Sequence, residues 1–183
     1  MTRLTQIPLV EAEGEAKTLL EQAQRSLGSV PNFMQVFASS PAALSAFLAF
    51  HADLHRGRLE HPIRERIALA IAEANACQYC VSAHSALGQQ AGLEPSEIEA
   101  ARRADSADAK ARAAVQFARA VLDQTGAVTS TDLRQVREAG FGDAEIVEII
   151  SLVGLNVLTN LLGKVADVDI DFPVIELLGS HAA

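Results

Sequence analysis

Residues 61–88 read HPIRERIALAIAEANACQYCVSAHSALG. Alanine recurs throughout, no alternating run of β-branched residues appears, and no Gly or Pro interrupts the chain between Ile63 and Gly88. A straight helix over this span would make about seven turns, which is long for a globular protein. Two helices are therefore predicted, over 63–74 and from 77 to about 91, with a break near Asn75 and an end at Gly92. His61-Pro62 opens the first with proline in the first turn, and Asn75 is expected to cap the second.

Working outward, the period stays helical. A first amphipathic helix is expected over 11–27, with Ala16, Leu19, Leu20, Ala23 and Leu27 on one face and Gly28 after it. Val30-Pro31-Asn32 reads as a break, and Ser40-Pro41 as a cap followed by proline, opening a helix through Leu54 that stops at Gly57. Downstream, Glu94-Pro95-Ser96 starts a short helix, residues 108–124 form another, and Ser130-Thr131-Asp132 caps one that ends at Gly140. Residues 143–165 are apolar almost all round. Glu148, Asn156, Asn160 and Lys164 interrupt them, so a buried core helix is expected rather than a membrane span. Residues 167–173, Asp-Val-Asp-Ile-Asp-Phe-Pro, read as an irregular acidic segment.

The whole is an all-α chain. With 183 residues, 49% hydrophobic and 21% charged, it fits one domain, or two small halves packed closely together, and disorder is excluded. Residues 65–71 weakly echo 145–151, which would place Cys80 opposite Asn160 and His84 opposite Lys164 in a duplicated unit. The divisions expected are an N-terminal extension over 1–29, a half carrying the cysteines over 30–104, a second half over 105–173, and a tail over 174–183. A net charge of -8, with no basic stripe, argues against nucleic acid as a partner. Residues 1–10 show no secretory pattern, so a cytoplasmic location is expected.

Chemistry concentrates in Cys77-Gln78-Tyr79-Cys80-Val81-Ser82-Ala83-His84. On one helix Cys77 and Cys80 are neighbours at i,i+3 and Cys80 and His84 at i,i+4, so the thiols and the imidazole share a face. A helix starting at Asn75 or Ala76 would put the cysteines in its first turns, where the dipole and free amides favour a thiolate. His84 can take a proton from Cys80, and a carboxylate on its other nitrogen would hold the tautomer. Glu65 and Glu73 are both candidates for that carboxylate. Two rival readings remain at this level: buried cysteines with a core histidine, and a zinc site in which His51, His55 or His61 adds a fourth ligand to Cys77, Cys80 and His84. Those three histidines otherwise read as surface or helix-end residues.

Taken together, Arg64-Glu65-Arg66-Ile67-Ala68-Leu69, the C-x-x-C of Cys77 and Cys80, and His84 resemble the AhpD-like branch of the carboxymuconolactone decarboxylase superfamily. The flanking stretches Val30-Pro31-Asn32-Phe33 and 167–173 resemble it too. The resemblance implies an AhpD-like helical bundle, often with duplicated halves, that assembles as a trimer or hexamer and has thiol-dependent alkylhydroperoxidase activity. It implies Cys80 as the attacking cysteine, Cys77 as the resolving one, His84 as the base, and Glu65 rather than Glu73 as the carboxylate of the relay. A small peroxide and an external dithiol reductant are the implied partners, with no cofactor or metal. The best-characterised members carry histidine immediately before the second cysteine, where this chain has Tyr79, which can donate a hydrogen bond but is no base at neutral pH. Classical decarboxylases of the superfamily lack the cysteine pair, so decarboxylation is not expected. A non-enzymatic redox sensor or oligomeric scaffold is the alternative from another class.

Overall fold

In the computed structural model, residues 2–179 are described; the last four residues of the expected tail, 180–183, and Met1 lie outside them. Among the described residues there are nine α-helices and no strand: α1 Gly14–Leu27, α2 Asn32–Phe37, α3 Pro41–His55, α4 His61–Ala74, α5 Gln78–Gln90, α6 Pro95–Arg102, α7 Ala109–Asp123, α8 Ser130–Glu138 and α9 Asp143–Ala166.

The centre is α4, which packs on α5, α6, α7 and α9. Every residue from Ile67 to Ala72 is buried, so this helix is enclosed on all sides. Each fully buried Ile or Leu along it contributes about 2 kcal/mol of apolar transfer. One core joins α4 to α7, α8 and α9, drawing on both sides of the 104/105 boundary. A second joins α1, α2 and α3, capped by Leu155 of α9. A third surrounds the cysteines and includes Val36, Ala72, Val81 and Ala166.

The break in the opening stretch falls where expected, but its chemistry differs. Asn75 closes α4 instead of capping α5. Ala76 then takes a left-handed backbone (φ 50°), which turns the chain so that Cys77 is the N-cap residue of α5 rather than a helical one. A β-carbon in that conformation is strained, so the turn has to be held by its surroundings. Two other caps are shifted by a residue or more: α1 begins at Gly14, after a turn in which Pro8 O accepts from Glu11 and Ala12, and α8 is capped by a Thr129–Asp132 box. The Val30-Pro31-Asn32 break proves to be the lead-in to the six-residue α2, with Pro31 as its N-cap. Too short to show a helical period, α2 is held by burying Met34, Val36 and Phe37.

Helix α9 is apolar on both sides but buried on only one. Ile146, Ile149, Leu152, Val153 and Asn160 face the core, whereas Val147, Ile150, Leu158, Leu161 and Val165 are exposed. By length and composition alone it passes as a membrane span, yet it packs on α2, α3, α4, α5 and α7 as a core helix does.

Candidate active site

Cys77 and Cys80 are joined by a disulfide at a Cα–Cα separation of 5.3 Å. Both are buried, at 1% and 5% exposure. Because Cys77 caps α5, its Sγ accepts from the Cys80 backbone N–H at 3.4 Å. An N-cap sulfur in that position is stabilised as a thiolate by the free amides of the first turn.

Helix α9 forms the wall behind the disulfide. A β-carbon placed on Gly163 would stand 3.3 Å from Cys77 Sγ and 3.7 Å from Cys80 Sγ, so the absence of a side chain there is what lets the helix approach. One turn away, Asn160 Oδ1 accepts from Asn75 Nδ2 at 2.9 Å, and Lys164 Nζ donates to Asn75 O at 2.7 Å. These contacts clamp the strained Asn75-Ala76 turn that sets Cys77 in place.

His84 lies one helical turn beyond Cys80 on α5. Its Nδ1 donates to Glu65 Oε2 at 2.9 Å, joining α5 to α4. Burial pushes the Glu65 carboxyl up, but the His84 charge, its hydrogen bond and the His61 and His55 charges outweigh that and hold it below its usual range. Glu65 is thus an ionised acceptor, which holds the proton of the His84 ring on Nδ1 and leaves Nε2 free to face away from the carboxylate.

Glu73 goes elsewhere. Its Oε2 accepts from Arg102 Nε at 2.7 Å and its Oε1 from the Leu178 backbone N–H at 2.7 Å. Of the two carboxylates that residue spacing left open, Glu65 meets the imidazole and Glu73 is a tie between α4, α6 and the C-terminal segment.

Tyr79, which stands where the best-characterised relatives carry histidine, makes its hydrogen bonds away from the Glu65–His84 pair. Its hydroxyl donates to Asp171 Oδ1 at 2.9 Å and accepts from the Phe33 backbone N–H at 3.3 Å. Burial and the neighbouring carboxylate push the phenol well above its usual range, so it stays a protonated donor. Asp171 Oδ2 also accepts from Asn32 N at 2.8 Å. The two flanking stretches, 30–33 and 167–173, therefore meet over the start of α5, and Ser82 Oγ continues the strap by accepting from Ile175 N at 3.0 Å.

His55 ends α3 and His61 starts α4, both exposed as expected, whereas His51 departs from the surface reading. His51 and His55 stack at 3.9 Å between ring centroids, His55 stands 6.2 Å from His61, and His61 Nε2 lies 3.3 Å from Glu65 Oε1. Burial, then the charge of His55, pushes the His51 imidazole down to about 4. Burial likewise lowers His55. His51 is thus no simple surface residue, and His61, although half-exposed, reaches a buried acid. The i,i+4 spacing of His61 and Glu65 was the signal available for that contact. As for zinc, the two sulfurs are bonded to each other, and among the described residues no group of three or more His, Cys, Asp or Glu is arranged to hold a metal ion.

The site is thus a buried C-x-x-C disulfide beside a Glu–His pair in an all-helical bundle. Residues 41–124 match the carboxymuconolactone decarboxylase family. Among solved structures, the chain is similar to an uncharacterised peroxidase-related protein from Ralstonia eutropha, described as an alkylhydroperoxidase AhpD core. The two share 26% identity at TM-score 0.83, over 93% of this chain and 92% of that one. A second peroxidase-related protein, from a Silicibacter species, shares 27% identity at TM-score 0.77, over 92% and 94%. The debrominase Bmp8, solved with 2,3,4-tribromopyrrole, has the same fold at 18% identity and TM-score 0.78, over 93% and 92%. No curated protein matches by sequence. The chain thus resembles the carboxymuconolactone decarboxylase family over 41–124 and AhpD-like, peroxidase-related proteins over nearly its whole length. Enzymes occur on this fold, with chemistry as different as debromination.

Proposed function

We propose that the protein is a thiol-dependent peroxidase that reduces alkyl hydroperoxides or hydrogen peroxide through a Cys77/Cys80 dithiol–disulfide cycle. The observation that carries this reading is the Glu65–His84 hydrogen bond, which orients an imidazole one turn from Cys80 in a buried cysteine pair. With the pair reduced, His84 Nε2 takes the Cys80 proton and the thiolate attacks one peroxide oxygen. The S–O bond forms as the O–O bond breaks, the alkoxide takes up a proton to leave as an alcohol, and Cys80 becomes a sulfenic acid. The Cys77 thiolate then displaces hydroxide, which leaves as water, and the disulfide forms. An external dithiol supplies the two electrons that reopen it, with Cys77 leaving as a thiolate stabilised by the Cys80 amide.

Peroxide consumption with a dithiol present tests the reading. Steady turnover is expected, whereas one equivalent followed by arrest would indicate a redox sensor. In Cys77→Ser, a sulfenic acid should be trapped on Cys80 and found by mass spectrometry. Faster neutral-pH alkylation of Cys77 than of Cys80 in the two single Ser variants would reverse the cysteine roles.

A closed homo-oligomer, trimer or hexamer, is part of the same proposal, as are a cytoplasmic location and the absence of nucleic-acid and membrane partners. Its support is the outer face of α9, where Val147, Ile150, Leu158, Leu161 and Val165 would be covered by symmetry-related copies. Light scattering at micromolar concentration checks it, and a mass near 19.4 kDa would defeat it.

A further inference from the structure

Glu65 is surrounded by imidazoles. Its Oε2 accepts from His84 and its Oε1 faces His61 at 3.3 Å, so a single buried carboxylate bridges two rings. The two are not equivalent. His84 sits beside the cysteines with its side chain 23% exposed, whereas His61, at the first turn of α4, is 44% exposed on the side facing water. The carboxylate between them is 6% exposed.

We propose that His61 is a positioning residue that holds the second oxygen of Glu65, couples the buried Glu65–His84 pair to solvent, and sets the proton affinity of His84. This deepens the peroxidase reading and rests on it for its catalytic meaning.

A carboxylate shared by two donors gives less of its charge to each. When His61 is protonated, its cation neutralises much of Glu65, so the imidazolium of His84 is less favoured and the ring is more available as a base. Other groups face the same cluster. His51 and His55 come from α3, His55 being next to His61, and burial lowers the proton affinity of both. Arg64 of α4 is itself buried, donates to Leu59 O, and repels protons from this region, with Glu148 of α9 partly offsetting it. Among these groups His61 has direct access both to solvent and to Glu65.

The test compares wild type, His61→Gln and His61→Ala as the reduced full-length protein. The readouts are the NMR titration of the His84 ring and the pH dependence of Cys80 alkylation. Removing the second imidazole should move the His84 midpoint up by about half a pH unit or more in His61→Ala, a differential interaction of the size one neighbouring group provides. His61→Gln, able to hold Oε1 without a charge, should fall between Ala and wild type. The alkylation profile should move to lower pH in the same order, because a His84 that binds its proton more tightly favours the Cys80 thiolate. A His61 that serves only to start α4 would lower the melting temperature and leave both midpoints unmoved, and that result overturns the proposal. If His61→Ala does not fold, an unshifted His61→Gln overturns it equally. None of these readouts needs peroxide, so a wild-type protein that titrates as expected but turns over no peroxide refutes the peroxidase reading and leaves the coupling standing.

Discussion

The two ends of α4 carry the same residue type to opposite purposes. Near its start Glu65 faces His84 and His61; near its end Glu73 faces Arg102 and the backbone of Leu178. Both carboxylates are largely buried, and both are satisfied. The difference lies in the partner. An imidazole gains and loses protons near neutral pH, so the first pair can pass one on, whereas a guanidinium keeps its charge at all accessible pH and the second pair can only hold. What a buried acid can do is thus set by what stands opposite it.

Exchanging the ionisable group at each end should separate the two purposes. Glu65→Gln is expected to lower peroxide turnover about 100-fold, the scale of losing oriented base catalysis, with the fold retained on circular dichroism. An unchanged rate would remove Glu65 from the relay. Glu73→Gln should do the reverse, destabilising the protein by about 3 kcal/mol in urea unfolding because the buried Arg102 loses its counter-charge and keeps only the Glu176 carbonyl, while turnover per folded molecule is kept. A loss of turnover without loss of stability would erase the distinction between the ends. Tyr79→Phe removes the bond to Asp171 and should cost about 1.5 kcal/mol through the strap over α5. Its peroxide turnover should match wild type; a large loss would bring the phenol into the chemistry.

The smallest effect concerns pH. His51 is held down to about 4 by burial, whereas in the unfolded chain an imidazole takes its proton near 6.5. Between those values the unfolded state binds more protons, so this residue makes stability fall as pH drops from about 6.5 to 4 and contributes no slope above that window. In His51→Gln, the stability–pH curve from urea unfolding should be shallower there. An identical slope in both proteins would mean that His51 does not sense the burial.

Much of this was legible locally. The helical period, the proline starts at Pro41, Pro62 and Pro95, the glycine stop after α1, and the split of 61–88 into two helices all depend on neighbours within a few residues. So did the i,i+4 placement of His84 beyond Cys80. Helix α2 was not legible, because six residues show no period and their stability comes from Phe37 and Met34 packing against α1 and α3. The N-cap position of Cys77 was missed for a related reason. Asn75 has a good capping side chain, but its Nδ2 donates to Asn160 and its backbone O accepts from Lys164, both on a helix some 85 residues away, and the turn forms one residue later.

By itself the sequence determined the all-α class, the approximate helices, and the cysteine pair with a histidine in register, since each is a matter of propensity or spacing along one chain. Its motifs also carried the resemblance that favoured Glu65 over Glu73. Only the tertiary structure decided which partner each acid meets, that Tyr79 is tied to Asp171 instead of facing the relay, that Gly163 admits α9 to the sulfurs, and that His61 shares the carboxylate of His84. The physical reason is that a side chain's spacing along a helix fixes its direction relative to its neighbours, whereas its partner across a core depends on how separate helices pack.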